Sequence, residues 1–342
     1  MFSRKPKRYW LKEAKKMKID KSQIKRILVI TLSNIGDIIL TTPVIRTLSK
    51  EFPYSRVDIM VGPRGKDIFN KDPRIFKLII YDKHSSIAQK RRLQLKLKKL
   101  KYDLVVDLRN TVLPLLLAPK YRNSPIQSFP KSVVHKKERH LCRLHFLGIG
   151  KALSEKSYIH IPKEDEGYIR NLIEANAISG PMVVVNPGAK SHLKRWTVEG
   201  FAEVCDGLSD ECGAGIIFVG MAEDKDIVLS ITKKMKNRYY DFVGRTNIRQ
   251  LASLIKNSNL LITNDSAPMH LGCAVGAKVL AIFGPTDPKK YGPTGEFDTV
   301  INKKLSCSPC EEAACKYGYE CMKLISADEV FDAARMMIEG YE

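Results

Sequence analysis

Short apolar runs alternate with amphipathic segments along most of the chain. In the first half, the apolar runs lie at 27–32, 57–61, 78–81 and 104–108. Between them, segments such as 38–50 and 89–101 place leucine and isoleucine at helical spacing. Short apolar runs bounded by turn residues favour buried strands, and strands that alternate with helices favour a parallel sheet covered by helices. The pattern therefore predicts an α/β fold.

The same alternation restarts after a linker within 150–180, which carries Pro162, acidic residues, a predicted helix and the turn Ser179-Gly180-Pro181. Beyond the linker, apolar runs lie at 182–185, 215–219, 241–243, 260–263 and 279–283. Single cores stop growing near about 250–300 residues, so a chain of 342 residues favours two domains. We predict two doubly wound domains, at 27–160 and 181–325, with a basic arm at 1–26 and a closing helix at 326–342.

The stretch 260–285 carries polar residues directly after a predicted strand. Asp265, Ser266 and Ala267 end that strand and open a helix, and His270 lies one turn further on. Ligands bind at the carboxyl ends of strands in open α/β sheets, and a helix start favours an anion such as a phosphate. Two interpretations stay open here: a phosphate site, or side chains that only cap the helix, with His270 in a structural role.

Two further loops follow strands of the second domain. The first contains Asn186, Gly188 and Lys190, with Lys194 shortly after, and the second contains Glu223. Lysines suit a pyrophosphate, and a carboxylate suits ribose hydroxyls. Together with the loop after the fourth strand, they predict a pocket for a nucleoside diphosphate, although each loop alone is also an ordinary turn.

In the first domain, the loop Ser33-Asn34-Ile35-Gly36-Asp37 follows the first strand. It lacks the GxGxxG pattern, so no dinucleotide fingerprint is present. Asp37 either caps the next helix or is held at the mouth of the sheet, pointing into a cleft. Pro43 should kink that helix or delay its start. Arg109 follows the strand at 104–108.

The formal net charge of +21 favours an anionic partner. Residues 1–26 hold eleven Lys/Arg, and 83–101 hold eight without an acid. The arm is either an amphipathic helix on an anionic membrane or a solvated basic segment, and the second run is either a solvated helix face or an anion-binding surface. His140 and Arg143 are expected to add cations. No RNA-binding signature, zinc finger or basic heptad is found, so we expect no specific nucleic acid partner.

No apolar run reaches the about 18–20 residues of a membrane-spanning helix, and no signal peptide is found. We expect a cytoplasmic protein, with peripheral contact at the cytoplasmic face of the inner membrane left open. Four cysteines are clustered with the spacing C-x2-C-x4-C-x5-C, at Cys307, Cys310, Cys315 and Cys321. This cluster has two interpretations, a structural metal site or a disulfide pair. A disulfide is disfavoured in a reducing cytosol.

Four motifs carry a resemblance to a known family. They read ILVITLSNIGDIILTTPVIRTL at 27–48, VVVNPGAKSHLKRWTVEGFAEV at 183–204, IFVGMAEDKDI at 217–227 and ITNDSAPMHLGCAVGAKVLAIFGPTDPKKYGP at 262–293. The sequence resembles glycosyltransferase family 9, which holds the ADP-heptose:lipopolysaccharide heptosyltransferases. The first domain matches weakly beyond residue 60.

The resemblance implies a GT-B fold, with two Rossmann-like doubly wound domains facing across a cleft. It implies that the second domain binds a nucleotide-sugar donor, with ADP-heptose favoured, and that the first binds the acceptor. Such enzymes invert the anomeric centre and use no catalytic metal or cofactor. The closing helix is expected to pack back toward the first domain.

The resemblance also implies roles for single residues. Asp37 is expected to be the general base, with Asn34, Gly36 and Arg109 on the acceptor side. Lys194 is expected to offset the diphosphate charge. The remaining donor-binding candidates are Asn186, Gly188, Lys190, Glu223, Asp265, Ser266, Ala267 and His270.

The leading hypothesis is transfer of a heptose or related sugar to a lipid-linked, anionic acceptor such as the lipopolysaccharide inner core. The alternatives are a sugar-nucleotide epimerase of the same architecture and a non-catalytic, basic protein that binds membranes or nucleic acid. Loss of affinity for nucleotide sugars, with strongly salt-dependent binding to arbitrary nucleic acid, would favour the last.

Overall fold

The computed structural model describes residues 19–124, 128–149 and 155–340. The chain forms two compact units, Met1–Tyr158 and Ile159–Glu342. Most of the basic arm lies outside the described residues. The interpretation of this arm as an amphipathic helix therefore concerns residues that the structure does not describe. Within the described ranges, no helix combines the length and apolar character needed to cross a membrane.

The first unit is built on a parallel sheet with the strand order β3-β2-β1-β4-β5. Its strands are β1 (Arg26–Ile30), β2 (Arg56–Val61), β3 (Lys77–Ile80), β4 (Leu104–Asp107) and β5 (Tyr121–Arg122). Its helices are α1 (Ile35–Ile39), α2 (Thr42–Glu51), α3 (Lys66–Phe69), α4 (Ile87–Lys99), α5 (Leu113–Leu117) and α6 (Lys136–Phe146), with 3-10 turns at Lys21–Gln23 and Pro63–Gly65.

Strand β1 lies at the centre of this sheet, paired with β2 on one side and β4 on the other. Its apolar run is continuous because helices cover both faces of a parallel sheet. The chain leaves β1 toward β2 and later crosses back to β4, so the strand order reverses between β1 and β4. Ligands bind at such a switch point, beyond the carboxyl ends of the two strands.

Proline splits the first predicted helix. The helical segment expected at 38–50 forms α1 and α2, with Pro43 in the first turn of α2. Proline has no N–H to donate and its fixed φ suits a first turn, so the helix restarts there. The side chains of Thr41 and Thr42 donate to the carbonyls of Ile38 and Ile39, at 2.6 and 2.7 Å. The expected effect of Pro43 is confirmed.

The second unit has the strand order β11-β10-β9-β6-β7-β8, again parallel. Its strands are β6 (Met182–Asn186), β7 (Gly215–Phe218), β8 (Tyr239–Asp241), β9 (Leu260–Asn264), β10 (Val279–Phe283) and β11 (Thr299–Asn302). Its helices are α7 (Lys163–Ala175), α8 (Val198–Cys212), α9 (Lys225–Thr232), α10 (Ile248–Lys256), α11 (Ala267–Val275), α12 (Pro288–Tyr291), α13 (Glu320–Lys323) and α14 (Ala327–Glu339), with 3-10 turns at His192–Lys194 and Ala222–Asp224.

This order is that of a Rossmann domain, and the switch point lies between β6 and β9. The strand β11 was absent from the prediction, because its four residues are all only half-buried and its sequence lacks a long apolar run. The predicted strand at 241–243 lies two residues too late, since β8 ends at Asp241.

Helix α7 belongs to the second unit, whereas it was predicted within the linker. It packs against α10, where the Arg249 guanidinium donates to the Asp165 carboxylate at 2.6 Å. Both side chains are less than 10% exposed. A buried ion pair of this kind ties the helix to the domain, because removing either partner leaves an uncompensated charge.

The last helix also packs within the second unit. Val330, Ala334 and Met337 of α14 are buried in the core that includes α8. Ser326 and Glu329 form a capping box at its start, which satisfies N–H groups of the first turn. The expected packing of this helix toward the first domain stays a prediction.

Candidate active site

One asparagine joins the two loops at the switch point of the second domain. The buried Nδ2 of Asn186, at the end of β6, donates to the carbonyl of Gly188 at 2.9 Å. It also lies 3.1 Å from Oγ of Ser266 and 3.3 Å from Oγ1 of Thr263, both beside the end of β9. The structure therefore brings Asn186, Gly188 and Ser266 together, as the sequence predicted.

A second asparagine, which is not among the predicted donor-binding residues, also holds the loop after β6. Oδ1 of the fully buried Asn264 accepts from the N–H of Trp196 at 3.1 Å, and its Nδ2 donates to the carbonyl of Pro187 at 2.8 Å. The indole N–H of Trp196 donates to the carbonyl of Ile325 at 3.1 Å. The lysine-bearing loop after β6 is thus fixed at Trp196 by two distant parts of the domain.

Lys194 and Asp265 form an ion pair within this site. Nζ of Lys194 lies 2.6 Å from Oδ2 of Asp265, and the side chains are 31% and 8% exposed. The carboxylate is nearly buried, while the ammonium group keeps access to solvent. A lysine placed in this way can offer its charge to an incoming phosphate while Asp265 holds its position.

The start of α11 lacks a side-chain cap. Ser266 is the N-cap residue, but among the described residues its hydroxyl makes no capping bond and contacts Asn186 and Thr263 instead. The interpretation that Ser266 only caps the helix is therefore wrong. Uncapped N–H groups at a helix start, together with the helix dipole, favour binding of an anion. Ala267 is the first residue of this turn, and His270 is buried one turn later.

The loop after β7 brings the Asp224 carboxylate against the loop after β6. A methyl group on Gly188 would lie 2.4 Å from Oδ1 of Asp224, so Asp224 packs directly against that glycine. Asp224 also accepts from the N–H of Met221 at 2.9 Å. Glu223 is exposed, as is Lys190. The predicted contact of Glu223 with a ribose stays a prediction, and Asp224 is the carboxylate that contacts the first loop.

In the first domain, Asp37 lies in the first turn of α1, directly beyond β1. It is partly exposed, and Nδ2 of Asn34 lies 3.1 Å from its Oδ2. Gly36 lies between them in the same turn. The loop therefore places a partly exposed carboxylate at the switch point of this sheet.

The loop after β4 lies on the other side of the same switch point and is held by Asp107. This buried carboxylate accepts from the N–H of Arg109 at 2.8 Å, and from the N–H and hydroxyl of Thr111 at 2.6 and 2.8 Å. The Arg109 guanidinium lies 5.5 Å from the ring centre of Tyr81, within range of a cation–π contact. Arg109 is thus held by its backbone and its side chain at the predicted acceptor side.

Arg143 of α6 supports this loop from within the domain. Its Nη1 donates to Oδ1 of Asn110 at 2.7 Å and to the carbonyl of Asp107 at 3.3 Å. Asn110 has φ +59°, a left-handed conformation that a side-chain hydrogen bond helps to hold. Burial lowers the pKa of Arg143, and the charge of Asp107 opposes that shift. Arg143 remains a buried cation that positions the loop.

His140, one turn earlier on α6, differs from the sequence expectation. Burial, and then the nearby charge of Arg143, lower its pKa to about 3. Its Nδ1 is buried and, within the described part of the chain, has no hydrogen-bond partner. The prediction that His140 supplies a cation is wrong at neutral pH, because an interior site beside another cation disfavours the charged imidazole.

Comparison with known proteins decides the family. Residues 90–320, more than half of the chain, match the profile of glycosyltransferase family 9 (heptosyltransferase). The chain belongs to glycosyltransferase family 9. It is similar to lipooligosaccharide heptosyltransferase 2 of Campylobacter jejuni, with 26% identity over 90% of this chain and 96% of that protein.

Solved structures show the fold of this glycosyltransferase. A family 9 glycosyltransferase from Veillonella parvula matches with a TM-score of 0.80 and 24% identity, over 92% of this chain and 97% of that chain. The structure of ADP-heptose lps heptosyltransferase II of E. coli matches with a TM-score of 0.75 and 21% identity, over 92% and 98%. The predicted GT-B fold is confirmed.

The four clustered cysteines of this glycosyltransferase are free thiols. Among the described residues, no three His, Cys, Asp or Glu side chains are grouped so that they could hold a metal ion. Burial, and then the neighbouring Cys315, Cys307 and Cys310, raise the pKa of the half-buried Cys321 thiol. Cys315 contacts the carbonyl of Tyr317.

Proposed function

We propose that this glycosyltransferase moves a heptose from ADP-heptose to a lipopolysaccharide inner core or a similar anionic, lipid-linked acceptor. The names of its relatives support this choice, since they are heptosyltransferases of lipooligosaccharide and lipopolysaccharide. The structural neighbour named for ADP-heptose supports the donor. We assign the reaction to the cytoplasmic face of the inner membrane.

The observation that carries the proposal is the uncapped start of α11 beside the Lys194–Asp265 pair. A diphosphate needs hydrogen-bond donors and positive charge that are already in place, and the N–H groups of this helix start and the Lys194 ammonium group are of these two kinds. Asn186 and Gly188 hold the facing loop at hydrogen-bond distance from Ser266. Lys190, Glu223 and His270 are also assigned to the donor.

The reaction is proposed to proceed by a single displacement. The Asp37 carboxylate takes the proton from an acceptor hydroxyl as that oxygen attacks the anomeric carbon of the donor. The new bond forms on the face opposite the bond to the diphosphate. That bond breaks and the diphosphate leaves with its electron pair, so the configuration inverts. Lys194 and the N–H groups at the start of α11 offset the negative charge that develops on the diphosphate. Asn34, Gly36 and Arg109 are assigned to the acceptor.

The test is a binding and turnover screen of the full chain with ADP-, UDP-, GDP- and CMP-linked sugars. Asp37→Asn keeps the shape of the side chain and removes the base. It should leave donor affinity within about twofold and lower turnover by about 10²–10⁴. Asp67→Asn is the matched control, since Asp67 also lies in the first turn of a helix in the same domain.

The outcomes are distinct. Selective binding of ADP-heptose, with turnover lost only in the Asp37 variant and unchanged by a chelator, supports the assignment. Full turnover in the Asp37 variant contradicts the base assignment alone. Absence of binding to any nucleotide sugar contradicts the donor site and leaves a basic scaffold protein as the better description.

A further inference from the structure

We propose that helices α4 and α5 of the first domain form a docking surface for an anionic lipid bilayer. This α4–α5 surface combines outward-facing aliphatic side chains with a dense group of cations. Its apolar residues are Ile87, Leu95, Val112, Leu115 and Leu116, and its cations are Arg91, Arg92, Lys96, Lys98 and Lys99.

The apolar part is unusually exposed. Ile87 is 85% exposed, Val112 68%, and Leu95 and Leu115 each 52%. A single exposed aliphatic residue is ordinary, but a group of them on neighbouring helices marks an interaction site. Helix α5 has only five residues, yet it turns two leucines outward.

The two helices share one core and therefore present one outer surface. Leu97 of α4 and Leu117 of α5 are buried in the same apolar cluster, which contains residues of β1 and β4. Ile87, Arg91 and Leu95 are spaced by four residues, so they lie on one stripe of α4. That stripe points away from Leu97, and apolar and basic residues alternate along it.

The cations of this surface are not neutralised. The sequence contains no Asp or Glu between Lys83 and Lys101, or between Leu108 and Lys137. Across the described residues, no carboxylate lies within ion-pair distance of Arg91, Arg92, Lys96, Lys98 or Lys99. Unpaired cations of this density attract an anionic surface over about a Debye length.

The chemistry favours lipid over the other anionic partners. Proteins that bind single-stranded nucleic acid stack bases on aromatic rings, whereas the apolar side chains here are aliphatic. A second copy of the chain would place these cations against each other, which is unfavourable. Aliphatic side chains among cations suit the boundary between phosphate headgroups and acyl chains.

The position of this surface indicates a role in reaching a lipid-linked acceptor, and this role rests on the proposed function. Helix α5 begins two residues after Thr111, in the loop that Asp107 holds beside Arg109. Docking through α5 therefore brings the switch point of the first domain close to the membrane. A sugar acceptor anchored by its lipid would then reach this domain without leaving the bilayer.

The test is sedimentation of the purified full chain with vesicles, without donor or acceptor. Vesicles of phosphatidylcholine alone are compared with vesicles in which about a quarter of the lipid is phosphatidylglycerol. Arg91→Gln with Lys98→Gln should weaken binding about 25-fold, since each cation contributes about fivefold, or about 1 kcal/mol. Leu115→Ser with Leu116→Ser should weaken it about tenfold.

Matched controls keep the change in charge or apolar area but move it to the second domain. Lys233→Gln with Lys236→Gln removes the same charge, and Leu229→Ser with Leu324→Ser changes leucines that are 52% and 53% exposed. Both controls should bind within about twofold of the unaltered chain. The basic arm at 1–26 is present in every sample, so it cannot produce a difference between variants.

Surface variants that bind as tightly as their controls would overturn the proposal, and so would equal binding to neutral vesicles. Tight binding to a DNA duplex, lost in the charge variant, with none to vesicles would assign the surface to nucleic acid instead. Nucleotide-sugar binding is measured separately on the same variants and should be unchanged. Failure of vesicle binding therefore leaves the proposed transferase reaction untouched, and loss of donor binding leaves the docking surface untouched.

Discussion

Replacing Lys194 by methionine should reveal how much of the donor site depends on its ion pair with Asp265. Methionine keeps most of the side-chain volume and removes the charge. The variant leaves a carboxylate that is 8% exposed without its cation, although the rest of the loop keeps its bonds through Asn264 and Trp196. We expect a loss of stability in the second domain and a weaker affinity for ADP.

The magnitude follows from the geometry of the pair. At 2.6 Å, with an effective dielectric constant near 20, the Coulomb attraction is about 6 kcal/mol. Most of this is offset by desolvation and by water, which reaches the lysine because it is 31% exposed. A net loss of about 2 kcal/mol is expected, which corresponds to about 4–8 °C in the melting temperature of a domain of this size.

Trp196 provides the assay. The chain has two tryptophans, and in a Trp10→Phe background the fluorescence comes from Trp196, which is buried beside Lys194. Urea unfolding then reports on the second domain. ADP titration of the same protein should show an affinity reduced about tenfold to a hundredfold, because a charge-assisted contact to the diphosphate is lost.

A double variant and a control make the reasoning refutable. Lys194→Met with Asp265→Asn removes both charges and should recover at least about 1 kcal/mol of the loss, since the buried carboxylate is gone. Lys290→Met breaks the pair with Glu311, in which both side chains are more than a third exposed, and should cost less than about 1 kcal/mol. Two results would contradict this reasoning. Lys194→Met could lower the free energy of unfolding no more than Lys290→Met does, or the double variant could be no more stable than Lys194→Met alone. Either result would show that the ion pair does not stabilise the donor site.

Three further predictions concern the packing around the two switch points. Gly188→Ala places a methyl group 2.4 Å from Asp224, so it should cost about 1–3 kcal/mol in urea unfolding and weaken ADP binding. Arg143→Lys keeps the charge but removes the guanidinium Nη1 that donates to Asn110 Oδ1 at 2.7 Å; kcat/KM for the acceptor should fall at least tenfold while donor affinity is unchanged. The pKa of His140 is about 3 in the folded chain and about 6.5 when unfolded, so the unfolded state binds the extra proton between these values. The first domain should therefore lose about 2 kcal/mol between pH 7 and pH 5, and His140→Gln should remove that dependence in a urea series.

Each of these has a contradicting result. Gly318→Ala adds a methyl group where no atom lies within 4 Å, so it should be neutral, and an equal cost at both glycines would refute the packing argument. An unchanged acceptor kcat/KM in Arg143→Lys would show that the loop holds its shape without that arginine. A pH dependence that survives in His140→Gln would assign the acid sensitivity to other groups.

Much of the fold could be predicted because central parallel strands are buried on both faces. The runs that became β1, β6 and β10 are continuously apolar, and their predicted bounds lie within two residues of the observed ones. The edge strand β11 escaped prediction since only half of each side chain is buried there. The pattern of apolar residues along the chain reflects how deeply the side chains are buried, and burial is least complete at the edge of a sheet.

The sequence identified candidate site residues where polar side chains directly follow a strand. It could not identify contacts that depend on the three-dimensional course of the chain. Glu223 and Asp224 are adjacent in sequence, and only the course of the 3-10 turn at Ala222–Asp224 determines which one packs against Gly188. Arg143 reaches Asn110 across 33 residues, so no local pattern could have linked them. The only sequence signal for Asn264 was an amide at the end of an apolar run, which is also typical of a turn.

The bond from Trp196 to the carbonyl of Ile325 has a consequence for the timing of synthesis. Ile325 lies two residues before the start of α14, whose apolar face completes the core that also surrounds Trp196. A nascent chain that has emerged only as far as α11 contains every residue proposed to hold the donor, yet the loop bearing Lys194 still lacks its distant support. We therefore expect the ability to bind a nucleotide to arise only after α14 has left the ribosome.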